Sequence, residues 1–228
     1  MALYWIIFIG FALLSWLVSS SLQRKFDKYS QIPLPGGLTG RDVALKMLRE
    51  NGINDVNVIS TTGRLTDNYN PMDQTVNLSE PVYGSNSIAD AAVAAHECGH
   101  ALQHAKGYAP LRMRSALVPV VSFASNIMTW VLLGGMLLIN VFPQLLLFGI
   151  ILFACTTLFS FITLPVEINA SKRALVWLNE SGITNYETHE MAEDALRSAA
   201  YTYVVAALGS LATLLYYVMI FMGGRSRD

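Results

Sequence analysis

The sequence predicts a mostly α-helical membrane protein, with four transmembrane helices and a small α+β part on the cytoplasmic side. Two observations predict this class. The 228 residues have a mean hydropathy of +0.42 and only 14% of them are charged, which is too apolar for an ordinary soluble domain. Apolar stretches long enough to cross a bilayer also alternate with polar segments. The net charge of −1 gives no indication of nucleic-acid binding, and two cysteines do not make a disulfide framework.

The first apolar stretch, Ala2 to Val18, predicts a transmembrane anchor over residues 1–20. A cleaved signal peptide is the alternative. Signal peptides carry basic residues before the apolar stretch, whereas here Arg24, Lys25 and Lys28 follow it. The sequence therefore favours an anchor that is retained.

Residues 21–115 predict a cytoplasmic α+β segment. A capping box of Thr39 and Asp42 begins a helix that ends at Asn51 and Gly52. Beyond this helix, apolar and polar residues alternate in two short stretches, which predict a small sheet of two or three strands. These stretches are Asp55 to Ser60 and Thr75 to Ser79.

A helix is also predicted over residues 87–104, SIADAAVAAHECGHALQH. Ser87 and Asp90 form a capping box, and the alanine-rich run that follows contains no proline. The helix is expected to end near Lys106 and Gly107, because Pro110 follows them.

This helix contains an HExxH motif. His96 and His100 lie one turn apart on one face, so two imidazoles can bind one metal ion. Glu97 can then reach a metal-bound water as a general base, the arrangement of zincin peptidases. Cys98 points to another face, and Gly99 suggests a close approach by substrate or by another helix. The alternative without metal binding is that so short a motif occurs by chance on a surface helix.

The remaining chain predicts three more transmembrane helices. Residues 116–165 hold two of them, Ala116 to Ile139 and Leu145 to Leu164, separated by a turn that contains Pro143. Residues 166–198 are polar and helical. Residues 199–228 contain the fourth transmembrane helix and a short tail.

A capping box of Thr184 and Glu187 is expected to begin the helix that runs into this fourth span.

The basic residues orient the four spans. Arg24 to Arg114 contains 10 of the 15 lysines and arginines, and Lys172 to Arg197 contains three more. With four spans, both segments lie on the same side, which the positive-inside rule assigns to the cytoplasm. A candidate ligand for the HExxH metal can therefore come from the second segment.

A catalytic zinc usually takes a third protein ligand. Four groups are candidates for it, or for neighbouring roles. His104 continues the same helix face but diverges from a common point, so a second-shell or surface role is expected. His189 is expected at the surface, with Tyr203 as a further weak candidate for an oxyanion donor. The carboxylates of one charged helix are expected to be solvated: Glu187, Glu190, Glu193 and Asp194.

The fourth candidate is Glu167, directly after the third apolar stretch at Pro165. A charge at a membrane boundary needs a partner, and a bound cation is a good one. Asn169 and Ser171 follow at short helical spacing and could hydrogen-bond to metal ligands.

Three stretches resemble the YugP-type neutral zinc metallopeptidases, which are bacterial integral-membrane gluzincins distantly similar to HtpX-like peptidases. They are LTDNYNP at Leu65 to Pro71, residues Val82 to Pro119 around the HExxH motif, and TLPVEINASKRAL at Thr163 to Leu175. The resemblance implies one zinc ion, Glu167 as third ligand, and a location in the bacterial plasma membrane. HtpX-like peptidases often carry aspartate four residues after that glutamate, where this chain has Ser171.

The sequence therefore predicts a membrane-embedded zinc endopeptidase that hydrolyses membrane-proximal or unfolded polypeptides, with the lipid bilayer as its second partner. Thr75 to Ser79 could offer a free strand edge to an extended substrate, and the alternative is that this strand only packs the small core. The first alternative is a non-catalytic membrane scaffold stabilised by zinc, which has no use for Glu97. The second is a transporter or channel, and the absence of charged residues from the predicted spans argues against it.

Overall fold

A computed structural model describes residues 2–225. These residues form seven helices and three strands. In chain order they are α1 (Ala2–Tyr29), α2 (Gly40–Glu50), β1 (Asn57–Thr61), β2 (Asn68–Asn70), β3 (Thr75–Ser79), α3 (Glu80–Gly84), α4 (Ile88–Ala105), α5 (Ala109–Leu137), α6 (Pro143–Glu180) and α7 (Tyr186–Arg225). The end of the tail predicted after the fourth span, residues 226–228, lies outside the described residues.

The chain divides into two compact units. One unit consists of Met113–Leu164 with the described parts of Met1–Leu17 and Thr202–Asp228, and the other consists of Val18–Arg112 and Pro165–Tyr201. The first is here called the apolar unit and the second the polar unit. The boundary predicted between residues 165 and 166 falls inside α6, which is one continuous helix despite Pro165.

Within residues 2–225, four helices are long and apolar enough to cross a membrane: α1, α5, α6 and α7. Small residues allow close packing within the apolar unit. A Cβ atom built on Gly135 would lie 2.6 Å from the Cα atom of Leu146, so α5 and α6 meet there backbone to backbone. Thr157 and Ser210 hydrogen-bond between α6 and α7 with a distance of 2.7 Å between their hydroxyl oxygens. The apolar composition and these contacts are typical of helices that pack in a bilayer.

The polar unit has its own hydrophobic core. Its buried apolar residues come from α2, β3, α3, α4, α6, α7 and the loops between them, and include Val43, Met47, Leu78, Ile88, Cys98 and Leu178. The predicted capping box of α2 is confirmed, because Asp42 N donates to Thr39 Oγ1 and Thr39 N donates back to the carboxylate of Asp42. α4 begins after Ser87, whose hydroxyl accepts from Asp90 N at 3.1 Å, as predicted.

The three strands are ordered β1-β3-β2 in the sheet. β3 pairs in parallel with β1 and antiparallel with β2. The prediction that Thr75 to Ser79 offers a free edge is therefore wrong, since both edges of this strand are paired. The prediction failed because β2 has only three residues, which is too short to show an alternating pattern in the sequence.

The start of α7 differs from the prediction. The capping residue is Asn185 and not Thr184, since Asn185 Oδ1 accepts from Thr188 N at 2.9 Å. Thr188 Oγ1 in turn accepts from Asn185 N at 2.8 Å, which is the reciprocal bond that Glu187 was expected to make. Asparagine caps helices at least as well as threonine, so both Thr184 and Asn185 were suitable N-cap residues from the sequence alone.

Candidate metal centre

α4 and α6 bring together three side chains that can bind one metal ion. His96, His100 and Glu167 each offer a ligand atom, and these atoms lie within 4.8 Å of one another. His96 Nε2 is 3.2 Å and His100 Nε2 is 3.5 Å from the same oxygen, Glu167 Oε2. Two imidazole nitrogens and one carboxylate oxygen are the donor set of catalytic zinc sites that keep a fourth position for water. The chemistry of the three residues therefore fits zinc.

The packing of α4 against α6 makes this arrangement possible. A Cβ atom built on Gly99 would lie 2.6 Å from the carbonyl oxygen of Ala170, so the two helices approach as closely as backbone atoms allow. Helix approach thus explains Gly99, one of the two reasons considered for it. The same approach brings Glu167, which lies one turn before Ala170 on α6, towards the histidines of α4.

Glu97 lies beside these groups and is almost fully buried, with 8% of its surface exposed. Burial raises its pKa, although the neighbouring His96 and His100 act in the opposite direction. A carboxylate with a raised pKa next to a metal site has the properties of a general base.

The charges around His100 favour a cation at this position. Burial lowers the pKa of His100, but its hydrogen bond to Glu167 and the charge of Glu97 outweigh burial, so that the pKa lies above its ordinary value. Negative groups thus dominate the interior of the site. A buried pocket of this kind stabilises positive charge, whether it is carried by a proton or by a metal ion.

Both histidines have their second ring nitrogen in a hydrogen bond. His96 Nδ1 lies 3.0 Å from Ser171 Oγ, and His100 Nδ1 lies 3.0 Å from Gln103 Oε1. The sequence predicted Ser171 as a residue that could hydrogen-bond to a metal ligand. Asn169 does not touch a histidine directly but accepts a hydrogen bond from Gln103 Nε2. These partners orient both rings so that Nε2 faces Glu167.

Sequence reasoning missed Gln103. A signal was present, because this amide stands three residues after His100 in a run of mostly apolar residues, and an amide on a buried helix face needs a partner.

The other predicted candidates are not members of this group of three. His104 is exposed, and its Nδ1 lies 2.8 Å from the hydroxyl of Tyr69 on β2. His189 lies at the start of α7, with its Nδ1 3.2 Å from Thr184 Oγ1. Tyr203 belongs to the apolar unit. Cys98 is buried, and its thiol donates to the carbonyl of Ala44.

Comparison with known proteins identifies the family. A family model described as "Putative neutral zinc metallopeptidase" matches residues 4–222. The chain is also 44% identical over 215 residues to a protein of Bacillus subtilis (strain 168) named "Putative membrane protease YugP". The aligned residues cover 94% of this chain and 95% of that protein. No solved structure matches the chain. Since the family model spans nearly the whole length, this chain belongs to the neutral zinc metallopeptidase family.

Proposed function

We propose that this chain is a zinc-dependent endopeptidase of the bacterial plasma membrane whose active site faces the cytoplasm. The observation that carries the proposal is the convergence of His96, His100 and Glu167 beside a buried glutamate, Glu97. Family membership and the name of the B. subtilis relative support a protease-like function.

In this proposal each side chain has one role. His96, His100 and Glu167 hold the zinc ion, which when bound lowers the pKa of a water molecule to about 7 and polarises the scissile carbonyl. The carboxylate of Glu97 accepts the proton of the attacking water and then donates it to the nitrogen of the leaving amine. Ser171 and Gln103 keep the two imidazole rings in their orientation.

The position of Glu167 along α6 suggests which substrates can reach the site. The apolar run of α6 ends at Leu164, three residues before Glu167, which is less than one helical turn. The site is therefore proposed to act close to the membrane surface, on membrane-proximal or unfolded segments of other polypeptides. Because β3 is paired on both sides, the extended substrate is held by other groups.

The proposal is tested by separating metal binding from hydrolysis. Glu97→Gln should retain zinc and lose the cleavage of membrane-proximal polypeptides, because only the base is removed. Glu167→Ala should lose both zinc and cleavage. Glu180→Gln, a change of the same kind at the exposed end of α6, serves as the control and should behave like the native protein. Zinc content is measured on purified protein, and cleavage by comparing membrane proteomes of cells that carry each variant.

Two results would contradict the proposal. If Glu97→Gln and native cells have the same membrane proteome while zinc is bound, the site serves as a structural scaffold. If Glu167→Ala retains zinc as the native protein does, the third ligand is a different residue.

A further inference from the structure

Gln103 is a fully buried amide at the interface of α4 and α6. Its Oε1 faces His100 Nδ1 at 3.0 Å, and its Nε2 donates to the backbone carbonyl of Val166 at 2.8 Å. The same Nε2 donates to Asn169 Oδ1 at 3.1 Å. All the polar atoms of this side chain are thus satisfied by a candidate ligand on one helix and by two groups on the other.

The partners of Gln103 allow only one orientation of its amide. The carbonyl of Val166 can only accept, so it must face the NH₂ group of Gln103. Asn169 Oδ1 also accepts a hydrogen bond from Arg173 Nε at 2.8 Å, and a guanidinium can only donate. Two groups that cannot reverse their roles therefore point Gln103 Oε1 towards His100.

This orientation determines the tautomer of His100. Because Gln103 Oε1 is an acceptor, His100 Nδ1 must carry the hydrogen, and the lone pair of the neutral ring is left on Nε2. Nε2 is the atom that faces Glu167 Oε2. Val166, the second anchor of Gln103, immediately precedes Glu167 on α6, so a single side chain constrains ligand atoms on both helices.

We propose that Gln103 is a positioning residue, which selects Nε2 of His100 as the metal-binding nitrogen and aligns His100 with Glu167. The inference rests on the metal site of the proposed function but not on peptidase activity. It concerns a residue outside the HExxH motif, whose partners Val166 and Asn169 lie 63 and 66 residues further along the chain.

Two substitutions distinguish positioning of the ring from simple tethering of the helices. Gln103→Met keeps the length of the side chain but removes the acceptor for His100. Gln103→Glu keeps an acceptor for His100, and a protonated carboxyl can still donate to Val166. Partners of this kind typically contribute 10–100-fold in metal affinity. We therefore expect a zinc Kd about 10–100-fold weaker in Gln103→Met, and recovery of most of this loss in Gln103→Glu.

Zinc Kd is measured by chelator competition on full-length protein in detergent, together with thermal unfolding. Gln23→Met, the same change on an exposed stretch of α1, is the control and should leave the Kd unchanged. The inference is overturned if Gln103→Met binds zinc as tightly as the native protein, or if Met and Glu lose affinity equally. Tight zinc binding without any cleavage would refute the proposed peptidase but leave the inference standing.

A measurement on the native protein covers the case in which the variants do not fold. With ¹¹³Cd bound and histidines labelled with ¹⁵N, we expect scalar coupling from the metal to Nε2 of His100 and a slowly exchanging Nδ1 proton. Coupling to Nδ1 of His100 would overturn the inference, as would the absence of metal binding.

Discussion

Gly99 shows how a single residue controls the distance between two helices. Its missing side chain leaves room for the carbonyl of Ala170, which a built Cβ atom would approach to 2.6 Å. Real Cβ atoms do not come so close to backbone oxygens, and a carbonyl within a helix cannot move aside as a flexible side chain can. The separation of α4 and α6, and with it the distance from the histidines to Glu167, therefore depends on this glycine.

We expect Gly99→Ala to destabilise the protein and to weaken zinc binding. Alanine favours a helix interior by about 1 kcal/mol over glycine, but overpacking of a well-packed contact costs roughly 1–3 kcal/mol. The clash with backbone should make the second effect the larger. Thermal unfolding and zinc titration measure the two consequences.

The control for this substitution is Gly10→Ala on α1. A Cβ atom there meets no other described atom within 4 Å, so this variant should be as stable as the native protein or slightly more stable. A Gly99→Ala protein with native stability and native zinc affinity would show that α6 can shift without affecting the site.

For single residues, local spacing was sufficient to predict that His96, Glu97 and His100 lie close together. A helix places positions i and i+4 on one face whatever surrounds it, so their proximity follows from sequence alone. Glu167 required a second argument, namely the cost of a charge at the end of an apolar stretch. The partners of Gln103 could not be assigned, because they depend on which part of α6 packs against α4.

At the scale of elements, α2 depends on its N-terminal cap. The side-chain hydroxyl of Thr39, and then its backbone N–H, hydrogen-bond to Asp42 and lower the pKa of its carboxyl. A lowered pKa means that the ionised carboxylate stabilises the folded state. This contribution is fully present above the ordinary aspartate pKa of about 3.9 and is lost as the pH falls through the folded value.

We expect Asp42→Asn to lower the stability at pH 7, and the difference from the native protein to close as the pH is lowered below about 4. The effect should stay below about 1 kcal/mol, because the side chain is 44% exposed and solvent screens the interaction. Thermal unfolding at several pH values measures it. In a Thr39→Ala background the pH dependence should shrink, and an unchanged dependence would assign it to another group.

The helices were predicted more completely than the sheet. Apolar length and capping residues identify α2, α4 and the four apolar helices, since these signals are local. The order β1-β3-β2 was not predictable, because β2 has only three residues and no alternation. Its pairing with β3, with Asn68 opposite Asn77, depends on how the chain turns between them.

At the scale of the whole molecule, the proposed topology places both parts of the polar unit in the cytoplasm. We expect a reporter active only outside the cytoplasm to be active when inserted in Asn140 to Gln144 or fused after Met222. The same reporter inserted in Ser181 to Asn185 should be inactive. The physical reason is the concentration of lysine and arginine in the two segments of the polar unit.

The reporters in Asn140 to Gln144 and after Met222 are controls for the insertion in Ser181 to Asn185. The first lies at the opposite end of α6 from that insertion, and the second lies near the opposite end of α7. Activity only for the insertion in Ser181 to Asn185 would reverse the orientation and place the proposed active site on the other side of the membrane.

The distance along the chain between His96 and Glu167 has a consequence for biosynthesis. The two residues are 71 positions apart, and α5 and the whole apolar run of α6 are made in between. At about 5–20 residues per second, the ribosome needs about 4–14 s to pass from one to the other. A nascent chain thus carries the HExxH motif for seconds before Glu167, the proposed third ligand, is made. Under the proposed function we therefore expect zinc loading to be a late event, because a half-made chain lacks the complete set of proposed ligands.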